Sequence, residues 1–434
     1  MGSLIKPFNR FIKSEYTGGI ILFLATLIAM IWANSAYRET YFHLWEHKFT
    51  IGVDRFILSK SLHHWINDGL MAIFFFVIGL ELKREFIAGE LSSIRKSILP
   101  IVAAIGGMIV PALIYMFFNK GMASSSGWGI PMATDIAFAI GILSLAGKSI
   151  PFGLKVFLTA LAIVDDLGAV LVIAFFYTSQ ISIINLSIGI FFLAILALAN
   201  RLGVRNIAFY GLLGIGGVWL TFLLSGVHAT IAGVLVAFTI PAKTKIDENK
   251  FISDLEILNN DFKLADPDNS NLITTNQLHL LDSMKKLILN AETPLQRLEH
   301  NMHPLVTFMI MPIFALANAG IEIRGDFFAS LNNSVSIGVI AGLLLGKFLG
   351  VVISSKIVVK TGIAELPENT TWGHIYGVAL LAGIGFTMSL FVTDLAFESK
   401  EMVQNAKTGI LLASLIAGIL GISVLKFITR KKVL

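Results

Sequence analysis

The sequence predicts an all-α, polytopic membrane protein with twelve transmembrane helices, two of which are discontinuous. Of its 434 residues, 55% are hydrophobic and only 14% are charged, whereas soluble domains contain about 25% charged residues. The apolar residues form continuous runs instead of alternating with polar ones, which favours helices over a membrane β-barrel. Two of these runs contain glycine or proline at positions where a helix is expected to break.

The twelve predicted spans lie at 17–35, 62–80, 98–118, 128–146, 153–177, 181–199, 206–223, 226–240, 304–321, 334–355, 373–396 and 408–428. Loops on the side of both termini carry 24 of the 33 lysines and arginines, and the opposite loops carry 8. The positive-inside rule therefore predicts that both termini are cytoplasmic. This topology accounts for the formal net charge of +5, so the charge gives no support to a nucleic-acid partner.

We expect one transmembrane domain, 1–434, with an extended cytoplasmic loop at 242–298 between the eighth and ninth helices. Leucine and isoleucine recur at helical spacing in 251–262 and 277–290, which predicts two short amphipathic helices in this loop. Two interpretations stay open: a tolerated surface insertion, or an element for regulation or docking. The chain has no cysteine, which excludes disulfides and thiolate metal sites, and no cofactor is expected.

Four ionisable residues lie inside predicted spans. Asp165 and Asp166 are adjacent in the middle of the otherwise uncharged run 156–176, and Asp135 and Lys347 interrupt two other runs. A charge at mid-membrane costs roughly 2.5–3.5 kcal/mol on insertion scales, so such residues usually line a site. Adjacent helical residues point about 100° apart, so one carboxylate can bind a cation while the other pairs with Lys347.

These acids predict a cation site at which protons compete, which is the elementary form of cation/proton exchange. The structural alternative is a buried ion-pair cluster that only holds helices together. An intramembrane aspartyl protease needs its two carboxylates on different helices, and no Gly-x-Gly-Asp motif is present. We therefore expect that the protein is not an enzyme. A cation-coupled organic solute carrier of similar inverted-repeat architecture remains the alternative, and it would need aromatic groups around Asp135 or Asp165 that the sequence does not cluster there.

The fourth and eleventh spans carry the predicted breaks. Pro131 precedes Ala133-Thr134-Asp135, and the eleventh span contains Ala-Gly-Ile-Gly-Phe-Thr at 382–387. Discontinuous helices expose helix ends and free carbonyls at mid-depth, where transporters bind ions. Asp135 suits the N-terminal ends of such half-helices and Lys347 the C-terminal ends. Thr134 offers further oxygen ligands to a monovalent cation.

Seven motifs, in order along nearly the whole chain, support a resemblance. They are Gly-Leu-Glu-Leu-Lys-Arg-Glu at 79–85, Ala-Thr-Asp-Ile-Ala-Phe-Ala at 133–139, Ile-Val-Asp-Asp-Leu-Gly-Ala at 163–169, Ser-Gly-Val-His-Ala-Thr at 225–230, Leu-Glu-His at 298–300 with His303-Pro304, Phe-Ala-Leu-Ala-Asn-Ala-Gly at 314–320, and Leu-Gly-Lys at 345–347. With these motifs the chain resembles the bacterial NhaA-type sodium/proton antiporter family.

The resemblance implies twelve helices with inverted-topology repeats in helices 3–5 and 10–12, crossing discontinuous helices 4 and 11, and a homodimer in the bacterial cytoplasmic membrane. It also implies electrogenic export of Na⁺ or Li⁺ in exchange for external H⁺ by alternating access, activated at alkaline cytoplasmic pH. The lipid bilayer and the three transported ions are the expected partners. Residues 38–60 would contain the external hairpin that pairs the subunits.

By position, the resemblance also assigns roles to individual residues. Asp166 would be the principal cation and proton carboxylate, while Asp165 would alternate between a proton and Lys347, and Asp135 and Thr134 would lie at the helix break. The expected pH-response residues are Glu81, Arg84, Glu85, His228, Glu299, His300 and His303. Asp68 matches an acid of secondary importance. Two departures, the longer segment before the ninth helix and Gln296 where a lysine is usual, leave open where the pH response lies.

Overall fold

The computed structural model describes residues 17–53, 56–147, 149–178, 181–265, 272–323 and 331–431, and this part of the chain is mostly helical. The first half contains α1 Thr17–Ala33, α2 Arg38–Glu46, β1 Lys48–Val53, β2 Phe56–Ser61, α3 Leu62–Ala88, α4 Ile94–Asn119, a 3₁₀ segment Ala123–Met132, α5 Ile136–Leu145, α6 Phe152–Phe176, α7 Ile183–Arg201 and α8 Ile207–Ser225.

The second half contains α9 Ala229–Thr239, α10 Glu248–Leu264, α11 Thr275–Ala291, α12 Pro294–Asn318, α13 Ser334–Lys360, α14 Trp372–Leu381, α15 Phe386–Ala396 and α16 Lys400–Lys431. Over both halves, four helices include a π-helical turn: α3 at Trp65–Leu70, α8 at Gly214–Trp219, α12 at Val306–Ile310 and α13 at Gly342–Gly346.

Eight described helices are long and apolar enough to cross a membrane, and up to eleven spans result if each bent pair of helices counts as one. The chain is therefore a multi-pass membrane protein. The predicted span 226–240 is shorter than expected, because Gly226, at φ +84°, ends α8 and the following helix begins only at Ala229. Its 11 residues rise only about 16 Å, against about 30 Å of hydrocarbon. The helix that contains the predicted ninth span, α12, begins at Pro294, ten residues before the predicted start at 304. Thr293 caps this end of the helix.

Both predicted breaks occur where the sequence indicated them. The 3₁₀ segment Ala123–Met132 and α5 are bent by 43° around residues 133–135, and α14 and α15 are bent by 45° around residues 382–385. Since Pro131 removes a backbone donor just before the first break, the regular helix cannot continue through it.

The other local predictions have definite counterparts. β1 and β2 form an antiparallel hairpin in which Phe49 pairs with Lys60, within the region 38–60. α10 and α11 pack against each other in the 242–298 loop and cover both segments with helical spacing. Arg205 donates through Nη2 to the carbonyl of Glu292 at 2.5 Å and through Nη1 to that of Lys243 at 3.2 Å, which ties this helical pair to the membrane helices.

Close backbone contact brings α4 and α13 together. A Cβ atom on Gly350 would lie 2.2 Å from the carbonyl oxygen of Gly106, and one on Gly107 would lie 3.8 Å from Lys347 Nζ. Because glycine leaves room at both positions, α13 lies close enough to α4 for Lys347 to be enclosed with no solvent exposure.

Gly350→Ala should destabilise the protein, because the added methyl group meets backbone atoms that cannot rotate away. Overpacking of this kind costs typically about 1–3 kcal/mol. Gly211→Ala on α8 is the matched control: nothing lies within 4 Å of that position, and alanine favours a helix over glycine by up to ~1 kcal/mol.

The measurement is the temperature at which the detergent-solubilised protein loses its size-exclusion peak. It should fall for Gly350→Ala and stay the same or rise for Gly211→Ala. Equal behaviour of the two variants would show that α4 and α13 do not approach as closely as described.

Candidate functional site

Asp135 joins the two helix breaks. Its Oδ1 accepts from the backbone N–H of Phe138 at 3.0 Å, and its Oδ2 accepts from the backbone N–H of Thr387 at 3.0 Å and from the Thr387 hydroxyl. Its own N–H donates to the carbonyl of Ile384 at 2.7 Å. One buried carboxylate therefore satisfies donors at the N-terminal ends of both α5 and α15, as expected from the positive ends of their helix dipoles.

Thr134 connects these breaks to the charged pair. Its hydroxyl lies 2.7 Å from Asp165 Oδ2 and 2.9 Å from the carbonyl oxygen of Ala382. Gly385 allows the approach, since a Cβ there would lie 3.1 Å from the carbonyl oxygen of Ala133. The two breaks are thus in direct contact, although they are about 250 residues apart in sequence.

Lys347 pairs with Asp165 and not with Asp135. Its ammonium group donates to Asp165 Oδ2, and both side chains are fully buried. The C-terminal end of α14 is reached indirectly, through Asp165, Thr134 and the Ala382 carbonyl. The expected division between the two adjacent acids is therefore present, with Asp165 facing the base.

Asp166 has a different environment. It is fully buried, and neither of its carboxylate oxygens has a hydrogen-bond partner among the described groups; Asp165 Oδ1 is likewise without one. Burying an ionised carboxylate without a partner costs several kcal/mol, so such a group must hold either a proton or a cation. Three oxygen atoms on adjacent residues are therefore free to bind one or the other.

The acids do not converge on one point. In the described part of the chain, no three His, Asp or Glu side chains are close enough together to hold one metal ion. Both oxygen atoms of Asp135 accept hydrogen bonds from the two helix ends. Asp165 and Asp166, in contrast, have oxygen atoms without a described partner, close to the charge of Lys347. This set suits a weakly held, exchangeable monovalent ion more than a resident divalent metal.

A second charged group lies where α3 and α12 meet. Arg84 donates to Glu299 and, at 2.8 Å, to Glu85. Glu81 interacts electrostatically with Arg84, Glu85 and Glu299 in this group and also with Asp166, and His300 and His303 are in range of the same group. The structure therefore brings together six of the seven expected pH-response residues.

His228 and Asp68 lie apart from this group. His228 directly precedes α9, and its Nε2 lies 2.9 Å from the carbonyl oxygen of Tyr177, at the opposite end of α9 from the contacts that Lys83 makes near Ile240. Asp68 lies 2.9 Å from His64 in the first turns of α3.

Sequence reasoning missed Thr387, which donates twice to Asp135. Its position directly after the Gly-Ile-Gly break was the available signal, because the first residues of a helix have free N–H groups. The contact between Phe138 and Phe386, whose rings pack edge to face with their centres 5.0 Å apart, was missed as well.

The model of the family described as Na⁺/H⁺ antiporter 1 matches residues 9–425. The chain belongs to this antiporter family. The Na(+)/H(+) antiporter NhaA of Oleidesulfovibrio alaskensis is 50% identical over 428 residues, which cover 98% of this chain and 95% of that protein. The NhaA of Acidithiobacillus ferrooxidans is 48% identical over 432 residues, 99% of each chain, and NhaA 2 of Syntrophotalea carbinolica is 48% identical over 430 residues, 99% of this chain and 98% of that one.

This membership confirms the resemblance drawn from the seven motifs. The relatives are named as antiporters, and antiporters are transporters, not enzymes. The expectation that the chain is not an enzyme is therefore confirmed.

Lys347→Met should destabilise the protein strongly, because Asp165 is then left buried without its counter-charge. Breaking one side of a buried pair costs about 3–5 kcal/mol. Lys347→Met combined with Asp165→Asn should cost less than the sum of the two single changes, because both charges are then absent.

Lys356→Met on the same helix is the control, since Lys356 is exposed and lies 5.2 Å from the centre of the Tyr376 ring; its loss should cost about 0.5–1 kcal/mol. The thermal stability of the purified variants checks this. Strictly additive effects of the two changes would contradict the ion pair.

Proposed function

We propose that the protein is a secondary transporter that exports Na⁺ in exchange for H⁺, and that Li⁺ substitutes for Na⁺. The observation that carries the proposal is Asp166, a fully buried carboxylate without a described partner, next to the Asp165–Lys347 pair. The names of relatives that are 48–50% identical support the same pair of ions.

Exchange follows from competition for the same oxygen atoms. Asp166 binds either a proton or the cation, and the free Oδ1 of Asp165 adds a second ligand when the cation is present. Cation binding draws the ionised Asp165 toward the ion and weakens its attraction to Lys347. When the cation leaves, Asp166 takes up one proton, and Asp165 either takes up a second proton or returns to Lys347. If both carboxylates exchange protons for a single cation, more than one proton enters per cation exported, and transport is electrogenic.

Alternating access is supported by the two breaks. Asp135 and Thr134 hold the half-helix ends together through hydrogen bonds to Thr387, Ile384 and Ala382. Hydrogen bonds of this kind are easily exchanged, so small rotations of the half-helices can open the acids to one side of the membrane and then to the other. In this scheme Asp135 and Thr134 supply neutralising charge and oxygen atoms to the cation site.

We assign activation by alkaline cytoplasmic pH to the group at the junction of α3 and α12. Glu81, Arg84, Glu85, Glu299, His300 and His303 interact with one another. A change in the charge of this group acts electrostatically on Glu81, and Glu81 can transmit that change to Asp166. His228, at the end of α9, acts separately on the same profile.

The wider architecture belongs to the proposal too. It comprises twelve transmembrane helices with inverted-topology repeats, in which the 3₁₀ segment with α5, and α14 with α15, are the two crossing discontinuous helices. We place the protein in the bacterial inner membrane, within the lipid bilayer, as a homodimer paired through the β1–β2 hairpin. Both termini, which lie outside the described residues, are cytoplasmic, as is the extended loop 242–298 of the single domain 1–434.

The organic solute carrier is less well supported. The rings of Phe138 and Phe386 pack against each other, and both carboxylate oxygens of Asp135 accept hydrogen bonds at the helix ends. No polar cavity for an organic molecule opens around the described acids, since Asp135, Asp165 and Asp166 are at most 1% exposed.

Asp166→Asn should abolish exchange, because an amide neither carries negative charge nor exchanges a proton near neutral pH. The measurement is collapse of a preset pH gradient in everted vesicles, from cells lacking their own sodium exchangers, across pH 6.5–8.5. Wild-type vesicles should respond to Na⁺ and Li⁺ but not to K⁺. Asp282→Asn, at an exposed acid on α11, is the matched control and should behave as wild type.

No collapse with well-inserted wild-type protein would reject exchange and promote the organic solute carrier. Unchanged collapse in Asp166→Asn would keep the function but reject Asp166 as its principal carboxylate.

Glu299→Gln should shift the pH profile of exchange toward acid by about one unit, since the neighbouring titratable groups lose a negative charge. The maximal rate should be retained because the buried acids are unchanged. Glu292→Gln, at an exposed side chain seven residues earlier, is the control. A profile that is identical in Glu299→Gln and wild type would remove Glu299 from the pH response.

A further inference from the structure

A second, partly buried polar network lies at the other end of α3. It consists of His63 and Asn67 on α3, Asn318 at the end of α12, Asp394 on α15 and Lys407 on α16, and we call it the distal polar network. His63 and Arg84 are 21 residues apart, about 30 Å along the helix axis, so this network and the Arg84 group lie at opposite ends of the same span. It joins four helices.

Asp394 is at the centre of the distal polar network. Its Oδ2 accepts from Asn67 Nδ2 at 3.0 Å and lies 3.4 Å from His63 Nε2, and its Oδ1 lies 3.3 Å from Lys407 Nζ. The side chains of Asp394 and Lys407 are each only 11% exposed. Because an acid near a helix C-terminus is opposed by the helix dipole, these donors are needed to hold it there. Both oxygens are occupied, so the carboxylate anchors α15 and does not offer a site to a cation.

His63 is the member of the network that gains a positive charge when its second ring nitrogen is protonated. Its Nε2 lies 2.9 Å from Asn318 Oδ1, 3.4 Å from Asp394 Oδ2 and 3.5 Å from Asn67 Nδ2. Because the two nearer partners are acceptors, we assign a proton to Nε2. Asn318 in turn donates to Asn67 Oδ1 at 3.0 Å. The His63 side chain is 37% exposed, so protons from its side of the membrane reach it.

α15 connects this network to the ion site. Thr387, near its start, donates to Asp135, and Asp394 lies seven residues later, two turns along the same face. The separation is about 10 Å along a helix that packs as one rod. Whatever fixes Asp394 therefore also fixes Thr387 at the break.

We propose that Asp394 is a positioning residue for exchange: held by Lys407, Asn67 and the titratable His63, it fixes α15 against α3 and thereby sets Thr387 at the ion site. Protonation of His63 puts a positive charge 3.4 Å from Asp394 Oδ2 and tightens this hold, so acid on the His63 side restrains α15. The link to transport rests on the proposed function.

The charged groups around His63 favour the direction of this effect, in which protonation of His63 strengthens its contact with Asp394. Asp394 is the acid in contact with it, and Lys407 lies behind that acid on α16. On α3 itself, His64 and Asp68 lie 2.9 Å from each other. Glu46, at the end of α2, pairs with Lys400 at 3.4 Å.

A double-mutant cycle of thermal stability tests the hold without reference to transport. The full-length protein in detergent is compared as wild type, His63→Gln, Asp394→Asn and the double variant, at pH 5.5 and pH 8. Glutamine keeps an amide donor but does not titrate. The coupling between the two positions should be larger at pH 5.5, whereas a cycle with exposed His43→Gln should give none at either pH.

Equal coupling at both pH values would overturn the proposal. If Asp394→Asn does not fold, the cycle is built on Asp394→Asn with Lys407→Met, which removes both buried charges and has the same expected and contrary results.

The transport test uses proteoliposomes in which the pH on the two sides is set independently. His63→Gln should keep the maximal exchange rate and be less restrained by acid at the His63 side than the wild type, while His43→Gln should behave as the wild type. An unchanged profile in His63→Gln, or no exchange at any pH, would overturn the positioning role. Absence of exchange in the wild type would instead reject the proposed function, while the stability cycle would still test the hold.

Discussion

The ion pair between Lys347 and Asp165 is the interaction on which the rest of the site depends. Both side chains are fully buried in apolar helices, where a charge without a partner is strongly unfavourable. The pair requires α13 to approach α4 and α6 closely, and Gly106, Gly107 and Gly350 leave the space for that approach. With Asp165 engaged by the base, Asp166 is the neighbouring carboxylate that remains available.

The helix breaks follow from the same balance between burial and hydrogen bonding. Ending two helices inside the protein leaves backbone groups that lipid cannot satisfy. Asp135 serves the N-terminal ends, and Thr134 contacts both the Ala382 carbonyl and Asp165. The contacts that stabilise the breaks therefore also determine the surroundings of the acids, so movement of a half-helix and ionisation of the site are coupled.

Local patterns in the sequence predicted local structure well. Pro131 indicated the break before Asp135, and helical spacing in 251–262 and 277–290 predicted α10 and α11. The early start of α12 and the shortness of α9 were missed, because a threonine cap and the positive φ of Gly226 overrode hydropathy. The break at 382–385 indicated a free N–H group at Thr387, but the partner of Thr387 and the Phe138–Phe386 contact could not be predicted, since they depend on tertiary contacts between segments about 250 residues apart.

In the proposed mechanism, Na⁺ and H⁺ compete for the carboxylates of Asp165 and Asp166. The most direct test is Na⁺ binding to the purified protein by calorimetry at several pH values, in buffers with different ionisation enthalpies. We expect Na⁺ binding to release protons and Na⁺ affinity to fall, for each proton that the cation displaces, by about tenfold per unit of acidification. Na⁺ affinity independent of pH, without proton release, would contradict it.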